Sequence, residues 1–503
     1  MATFTLIVLL TCIWSVVATT STWNRSNACQ SLSSKFPASI YTVGSSEYKS
    51  ETQAYWSLAA WLEPDCVFAP ASSSDLAGGV DVLIKSNTTF AIRSGGHAPT
   101  TGIASTGHGV LISMAQFKTL TLHDAPNKYG ASYLRCGAAN PWGVVYEFLG
   151  QHGLSVVAGR IWPVGTGALL GGALSFFSQQ RGWGSNNIVN YEVVNADAKV
   201  VQVNAKSNPD LFWALKGGGN NFGIVTHYDM KTFKQDKIFG FNMAWPPEQM
   251  QKFSDAMTNW MLPGGGREDA KGALMPSTQY TPATDRLEPS LTALYDAPIN
   301  NPAAFENFSA IAGTDLGNGV QNVSQLVNQT IGYSARVLRW KWYVTSIKFD
   351  KETMPIVIDT MVDVAKELIP KFDGFVGVAE EPITIKHLEA AKANGGDPMN
   401  LDPKDGGFLM ALYYTAYSDP KLDETAENYL KTLISTVEKK TKAKNLFYDF
   451  YFLNDLGIAQ DAFTSYKGGA LNKLKAISRK YDPRGVFQHL VPGYKLGYLV
   501  DGS

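Results

Sequence analysis

The stretch Arg93-Ser94-Gly95-Gly96-His97-Ala98-Pro99-Thr100-Thr101-Gly102 has the residue types and spacing to do chemistry. Without Cβ atoms, Gly95 and Gly96 can turn their backbone N–H groups into a concave nest that receives an anion such as a pyrophosphate. His97 then stands at the mouth of that nest, with an imidazole nitrogen available as nucleophile or ligand. Alone, a Gly-Gly-His turn is more often just a turn. The elements around it must therefore position it. Helical spacing of Leu76, Val80 and Leu83 predicts a helix over Ser74 to Leu83, and a polar break from Lys85 to Thr89 leads into a strand-like Phe90-Ala91-Ile92.

A second stretch runs from Asn208 through Asp210-Leu211-Phe212-Trp213-Ala214-Leu215-Lys216-Gly217-Gly218-Gly219 to Phe222-Gly223-Ile224-Val225-Thr226. It reads as Asn208 capping a short helix, Pro209 in its first turn, Gly217 ending it, and a glycine-rich loop entering a strand. Between the two stretches lie Gly165, Gly167, Gly171, Gly172, Gly182 and Gly184. This is no Rossmann fingerprint, because Gly165-Thr166-Gly167 continues to Leu170 where that fingerprint requires glycine. Backbone approach to a dinucleotide remains, on another scaffold. The histidines lack ligand spacing, no cysteine pair suits a structural zinc, and no Gly-x-Ser-x-Gly elbow is present, so metal and hydrolase chemistry are set aside.

Together the two stretches closely resemble the berberine-bridge-enzyme-like FAD oxidases of the vanillyl-alcohol-oxidase superfamily, fungal type, over nearly the whole chain after residue 28. The resemblance implies an α+β fold, with a two-lobed PCMH-type FAD-binding domain and an α/β substrate domain carrying an antiparallel sheet. It implies FAD bonded through its 8α carbon to His97, with cofactor contacts from Arg93, Ser94, Gly95, Gly96, Gly102, Gly165, Thr166, Gly167, Gly171, Gly172, Asn187, Ile188, Gly223, Ile224 and Asn454. Ala168 and Ala173 depart from the family's glycines, small-for-small changes expected to be tolerated. Many relatives add a second link through a cysteine just before the proline of this region. Here Gly159-Arg160-Ile161-Trp162-Pro163 has none, which implies a single link. Related secreted oxidases also imply a Cys29–Cys66 bridge, leaving Cys136 in a strand pattern as a buried structural thiol.

With 503 residues and 45% apolar content, two domains are expected, and a net charge of −1 points to no nucleic-acid or membrane partner. Residues 1–18 read as a signal peptide, although the segment lacks an early Lys or Arg. Sequons at Asn24, Asn87, Asn307, Asn322 and Asn328 agree with a secreted or secretory-lumen glycoprotein. Residues 30–235 are assigned to FAD binding, 236–445 to substrate binding, and 446–503 to a segment returning to the cofactor. The aromatic strands Trp340 to Val344 and Leu409 to Thr415 mark the substrate half, and a monomer is expected.

The proton acceptor is harder to place. Sugar-oxidising relatives use a tyrosine after Y-x-N, where this chain reads Phe452-Leu453-Asn454-Asp455. Asn454 is expected near the flavin, and Asp455 is an acid in the base's place or a surface turn aspartate. Strand alternation over Phe447 to Asn454 makes Tyr448 the flavin-side phenol and Tyr451 the weaker one, while Tyr413 and Tyr414 point to opposite faces, so one can reach the site. The leading reading is an FAD oxidase of a small hydrophobic biosynthetic intermediate, reoxidised by dioxygen. The alternatives are an oligosaccharide oxidase, a redox-neutral cyclase, or a silent flavin binder.

Overall fold

Ser72 starts the expected helix by accepting the Asp75 N–H on its side chain, and Ser73–Lys85 then buries Leu76, Val80 and Leu83 on one face. In this computed structural model, which describes residues 25–124, 130–334 and 336–497, the helix leads into strand Phe90–Arg93. That strand runs parallel to Val110–Ser113, itself parallel to Cys66–Phe68, and Ile40–Thr42 closes the four-stranded sheet at its other edge. The Cys29–Cys66 disulfide ties helix Arg25–Lys35 to this sheet. The expected signal segment and Asn24 lie outside the described residues.

A second, six-stranded antiparallel sheet is centred on Ile224–Lys234, which pairs with Tyr133–Gly137 on one side and Ile188–Val194 on the other. The expected hairpin is present as Ile188–Val194 and Val200–Val203. Cys136 lies buried in its strand without a disulfide, and burial pushes its thiol up to about 12. These two sheets share one apolar core.

The third sheet has nine strands, with Gly374–Ile383, Phe408–Tyr417 and Arg339–Lys348 adjacent and antiparallel. Alternation divides it cleanly. Leu409, Ala411, Tyr413 and Tyr417 pack with helices Met250–Met261, Thr353–Leu368 and Asp423–Ala443 in a separate core. Met410 packs instead into the core of the FAD-binding half, so Met410 and its same-face neighbours Glu381, Leu412, Tyr414 and Trp342 look toward that half.

Two sequence expectations fail here. Phe447 to Asn454 is not a continuous strand: it stops after Phe447–Tyr448, just beyond the assigned boundary at 445. The Phe450 N–H donates to Tyr448 O at 2.8 Å and the Tyr451 N–H to Ser465 Oγ at 3.1 Å, so ladder donors are spent locally and the chain turns. Asn208 stands before helix Pro209–Ala214 but does not cap it. Its backbone is left-handed and its amide donates to Gln202 O, while the helix ends at Ala214 rather than Gly217.

Candidate active site

Two glycine loops cross where strand Phe90–Arg93 ends. A Cβ on Gly95 would lie 2.7 Å from Gly165 Cα, and one on Gly165 would lie 2.7 Å from Gly95 Cα, so backbone meets backbone with no room for a side chain. Gly96 turns with φ +67° and its carbonyl accepts the Trp56 N–H at 2.9 Å. Thr166 and Ser94 both donate to Ala138 O, which fastens the crossing to the core. The next residue, His97, stacks on Trp56 with centroids 4.4 Å apart, and Trp56 in turn stacks on Trp340 of the substrate sheet at 4.4 Å.

Behind the crossing, two segments clasp each other. The Trp142 N–H donates to Val164 O at 2.9 Å and the Gly143 N–H to Trp162 O at 3.0 Å. The Trp162 ring covers Gly143, and the Trp142 ring covers Gly159, each in the space a Cβ would need.

A cavity of about 250 Å³ opens beside His97, lined by Arg93, Ser94, Gly95, Trp162, Lys118 and Arg336 among others. Arg93 ion-pairs with Glu51 and donates to Ser113 Oγ; burial, with Arg336 nearby, lowers it to about 10. Arg93 Nε and Trp162 Nε1 are buried donors that find no acceptor among the described residues. Three cationic side chains and two unmatched donors at a glycine nest suit a diphosphate, and on that ground FAD fits these residues.

The third sheet joins this site through Trp340, stacked on Trp56. Tyr414 lies across Gly377, where a Cβ would strike its ring, and its hydroxyl is 2.9 Å from Ser277 Oγ. Trp340, Phe375 and Tyr414 form contiguous edge and tilted pairs, all only half-buried, and Trp342 Nε1 donates to Leu456 O at 3.2 Å. Asn454 lies on the turn Thr166–Gly171, donating to Ala168 O at 3.0 Å and occupying the space beside Gly171. Asp455 is buried beside Glu381, and Glu381 is ion-paired to Arg160. Burial foremost, then the Glu381 charge, holds the Asp455 carboxyl well above the usual carboxylate range.

The structure thus gathers Arg93, Ser94, Gly95, Gly96, His97, Gly165, Thr166, Gly167, Gly171 and Asn454 around the crossing, with Gly172 beside Phe452 and Met399. Gly102 turns a loop with open space around it, and Asn187 fixes its own turn by donating to Arg181 O and Trp183 O. Ile188 and Ile224 begin buried strands, and Gly223 makes room for Val193. Tyr448, on the short strand Phe447–Tyr448, packs into the core of the FAD-binding half, stacked on Phe408 at 4.1 Å and beside Lys467. Tyr451 instead donates to Glu438. Ala173 sits buried at φ +58°, a left-handed backbone that a Cβ disfavours, so its exchange for glycine carries strain.

Sequence reasoning missed Glu381 and Arg160 as site residues. Each is a charge inside an apolar run, Val376-Gly377-Val378-Ala379-Glu380-Glu381 and Val156-Val157-Ala158-Gly159-Arg160-Ile161, and that was the available signal.

Fold and site together define a two-lobed flavin-binding oxidoreductase. Residues 64–204 match the FAD binding domain family. The chain is 35% identical to an FAD-dependent monooxygenase of Penicillium roqueforti, with 93% of each chain covered. It is 34% identical to the bifunctional solanapyrone synthase of Alternaria solani, covering 89% of this chain and 84% of that one. Glucooligosaccharide oxidase from Acremonium strictum, studied for its 6-S-cysteinyl, 8α-N1-histidyl FAD, shares the fold at a TM-score of 0.70 and 18% identity, covering 92% and 98% of the two chains. The chain belongs to the berberine-bridge-enzyme-like FAD-linked oxidoreductases. Among the described residues no His, Cys, Asp and Glu group could hold a metal ion, and no helix is long and apolar enough to cross a membrane.

Proposed function

We propose that this protein is an oxidase of a small, largely apolar organic substrate, of the kind met as a secondary-metabolite intermediate, with FAD bonded once to the protein at His97. Bound there, FAD supplies the hydride acceptor, and dioxygen takes the electrons on as hydrogen peroxide. The observation that carries the reading is the Gly95–Gly165 crossing with His97 beside it. Trp56 fixes the imidazole plane, Arg93 and Trp162 offer donors to the diphosphate, and Asn454 holds the turn Thr166–Gly171 in place. A single link is supported by the cysteines, since Cys29 and Cys66 are joined and Cys136 is buried in its sheet.

The half-buried rings of Trp340, Trp342, Phe375 and Tyr414 give a substrate an apolar aromatic surface. Asp455, buried on the turn that also carries Asn454, is the acid that exchanges the substrate's proton in this reading. Secretion is supported by the disulfide and by exposure of Asn87, Asn307, Asn322 and Asn328, each open to N-glycosylation.

Polypeptide precipitated with acid is expected to come down yellow, and His97→Ala protein to come down colourless with the dye left in solution. A colourless wild-type pellet ends the covalent reading. Because tryptophan faces also stack sugars, an oligosaccharide oxidase is the second reading. Peroxide release from gluco-, xylo- and chito-oligosaccharides, compared with aromatic alcohols, separates the two.

A further inference from the structure

Three charged side chains from distant parts of the chain meet at the edge of the aromatic surface. Arg160 comes from the segment leading into the crossing, Glu381 from strand Gly374–Ile383, and Asp455 from the turn Leu453–Asp455. All three are buried, at 8%, 7% and 8% exposure. Arg160 Nη2 pairs with Glu381 Oε1, and Arg160 Nη1 donates to Leu274 O at 3.3 Å. Two oxygens, Glu381 Oε2 and Asp455 Oδ2, are buried and find no donor among the described residues. Yet Glu381 is the neighbour that, after burial, acts most strongly on the Asp455 carboxyl. Two ionised carboxylates there would set acceptor against acceptor and charge against like charge. One proton between them gives each oxygen the partner it lacks.

We infer that Asp455 and Glu381 hold one proton in common, with Arg160 fixing the negative charge on Glu381, so that the pair exchanges protons with substrate as a single group at the joint between the two halves. The inference rests on the reading that this cleft is where substrate reacts. Its parts come from both halves, so the proton site is complete only when they are packed together.

The other titratable groups around Arg160 and Asp455 add no charge. His387, on helix Ile385–Ala393, lies 4.1 Å from the Trp183 ring; burial, then the Arg160 charge, lowers it to about 3 and leaves it neutral. Tyr494 donates to Leu456 O, and burial pushes its phenol up, so it too is neutral. Asp455 therefore faces one anion and one cation, which act on it in opposite directions. Removing the Glu381 charge should lower its titration point, and removing the Arg160 charge should raise it.

The folded state favours the protonated form of Asp455. Its stabilising contribution is full below the ordinary aspartate value of about 3.9 and is lost as pH rises through the elevated one.

The test is an infrared pH titration of the protonated-carboxyl band in flavin-loaded full-length protein. Glu380, buried beside Thr278 and pushed up to about 8 by burial, contributes its own signal, which Glu380→Gln protein identifies for subtraction. Asp397 and Asp482, buried and likewise raised by burial, also contribute, so the Asp455 component is the parent-minus-Asp455→Asn difference, and it should persist above the ordinary aspartate range. In Glu381→Gln it should titrate lower by about one pH unit or more, and in Arg160→Gln higher by a similar amount. If Arg160→Gln does not accumulate, the near-isosteric Glu381→Gln decides. A band untouched by Asp455→Asn, or one that Glu381→Gln leaves in place or moves upward, overturns the pair. If the band behaves as expected but Asp455→Asn is reduced by substrate as fast as the parent, the shared proton stands and the location of the reaction falls.

Discussion

At the Gly95–Gly165 contact two backbones touch with nothing between them, whereas at Arg160, Glu381 and Asp455 three long side chains converge from three segments. The first region is defined by what is missing from its residues, and any added atom spoils it. The second is defined by charge, and its members depend on one another. A site built from absent side chains tolerates no enlargement but has no chemistry to unbalance. One built from buried charges can be resized, yet leaves a costly orphan when any one partner is removed.

The largest expected effect follows from that dependence. Arg160→Met should lose about 3–5 kcal/mol of stability in urea unfolding, because Glu381 is left ionised and buried. Adding Glu381→Leu to that change should recover most of the loss, and no recovery would mean that Arg160 acts by packing. On the glycine side, Gly165→Ala should cost about 1–3 kcal/mol and release flavin, since backbone must move. Gly167→Ala, in the same motif, meets only Ser94 atoms at 3.5 Å and beyond, and should change stability by less than about 0.5 kcal/mol. Equal effects at the two glycines would show that motif membership, not contact, sets the cost. The smallest change is Tyr414→Phe: it removes one hydrogen bond to Ser277, about 1 kcal/mol, and should leave the rate of flavin reduction within about tenfold. A loss of a hundredfold or more would move the proton exchange from Asp455 to the phenol.

The contrast also explains what could be read in advance. A glycine required by close contact has few replacements, so the loops around Gly95 and Gly165 stand out in the chain, and the strands and helices that present them follow from local apolar spacing. The joint offers no such signal. Arg160 and Asp455 are far apart in sequence, and Glu381 differs from Glu380 only in which side of a strand it occupies. That side is fixed by the pairing Glu381 to Met410, a long-range fact. Glu380 faces the helices and bonds Thr278, so two adjacent glutamates have unrelated surroundings. The reverse error begins after Tyr448, where alternation is carried through a segment whose N–H groups are taken by Tyr448 O and Ser465. Hydrophobic pattern cannot register a hydrogen bond to a hydroxyl farther along the chain.

The clasp of Trp142 on Gly159 and Trp162 on Gly143 limits how this region can change over generations. Each bulky ring needs its own gap on the facing segment, so a substitution at any one of the four positions forces a second, and large and small must trade places together. Arg160 adjoins one of those gaps. Its reach toward Glu381 is thus inherited along with the two indoles, and drift in the proton site is held back by residues that never meet a proton.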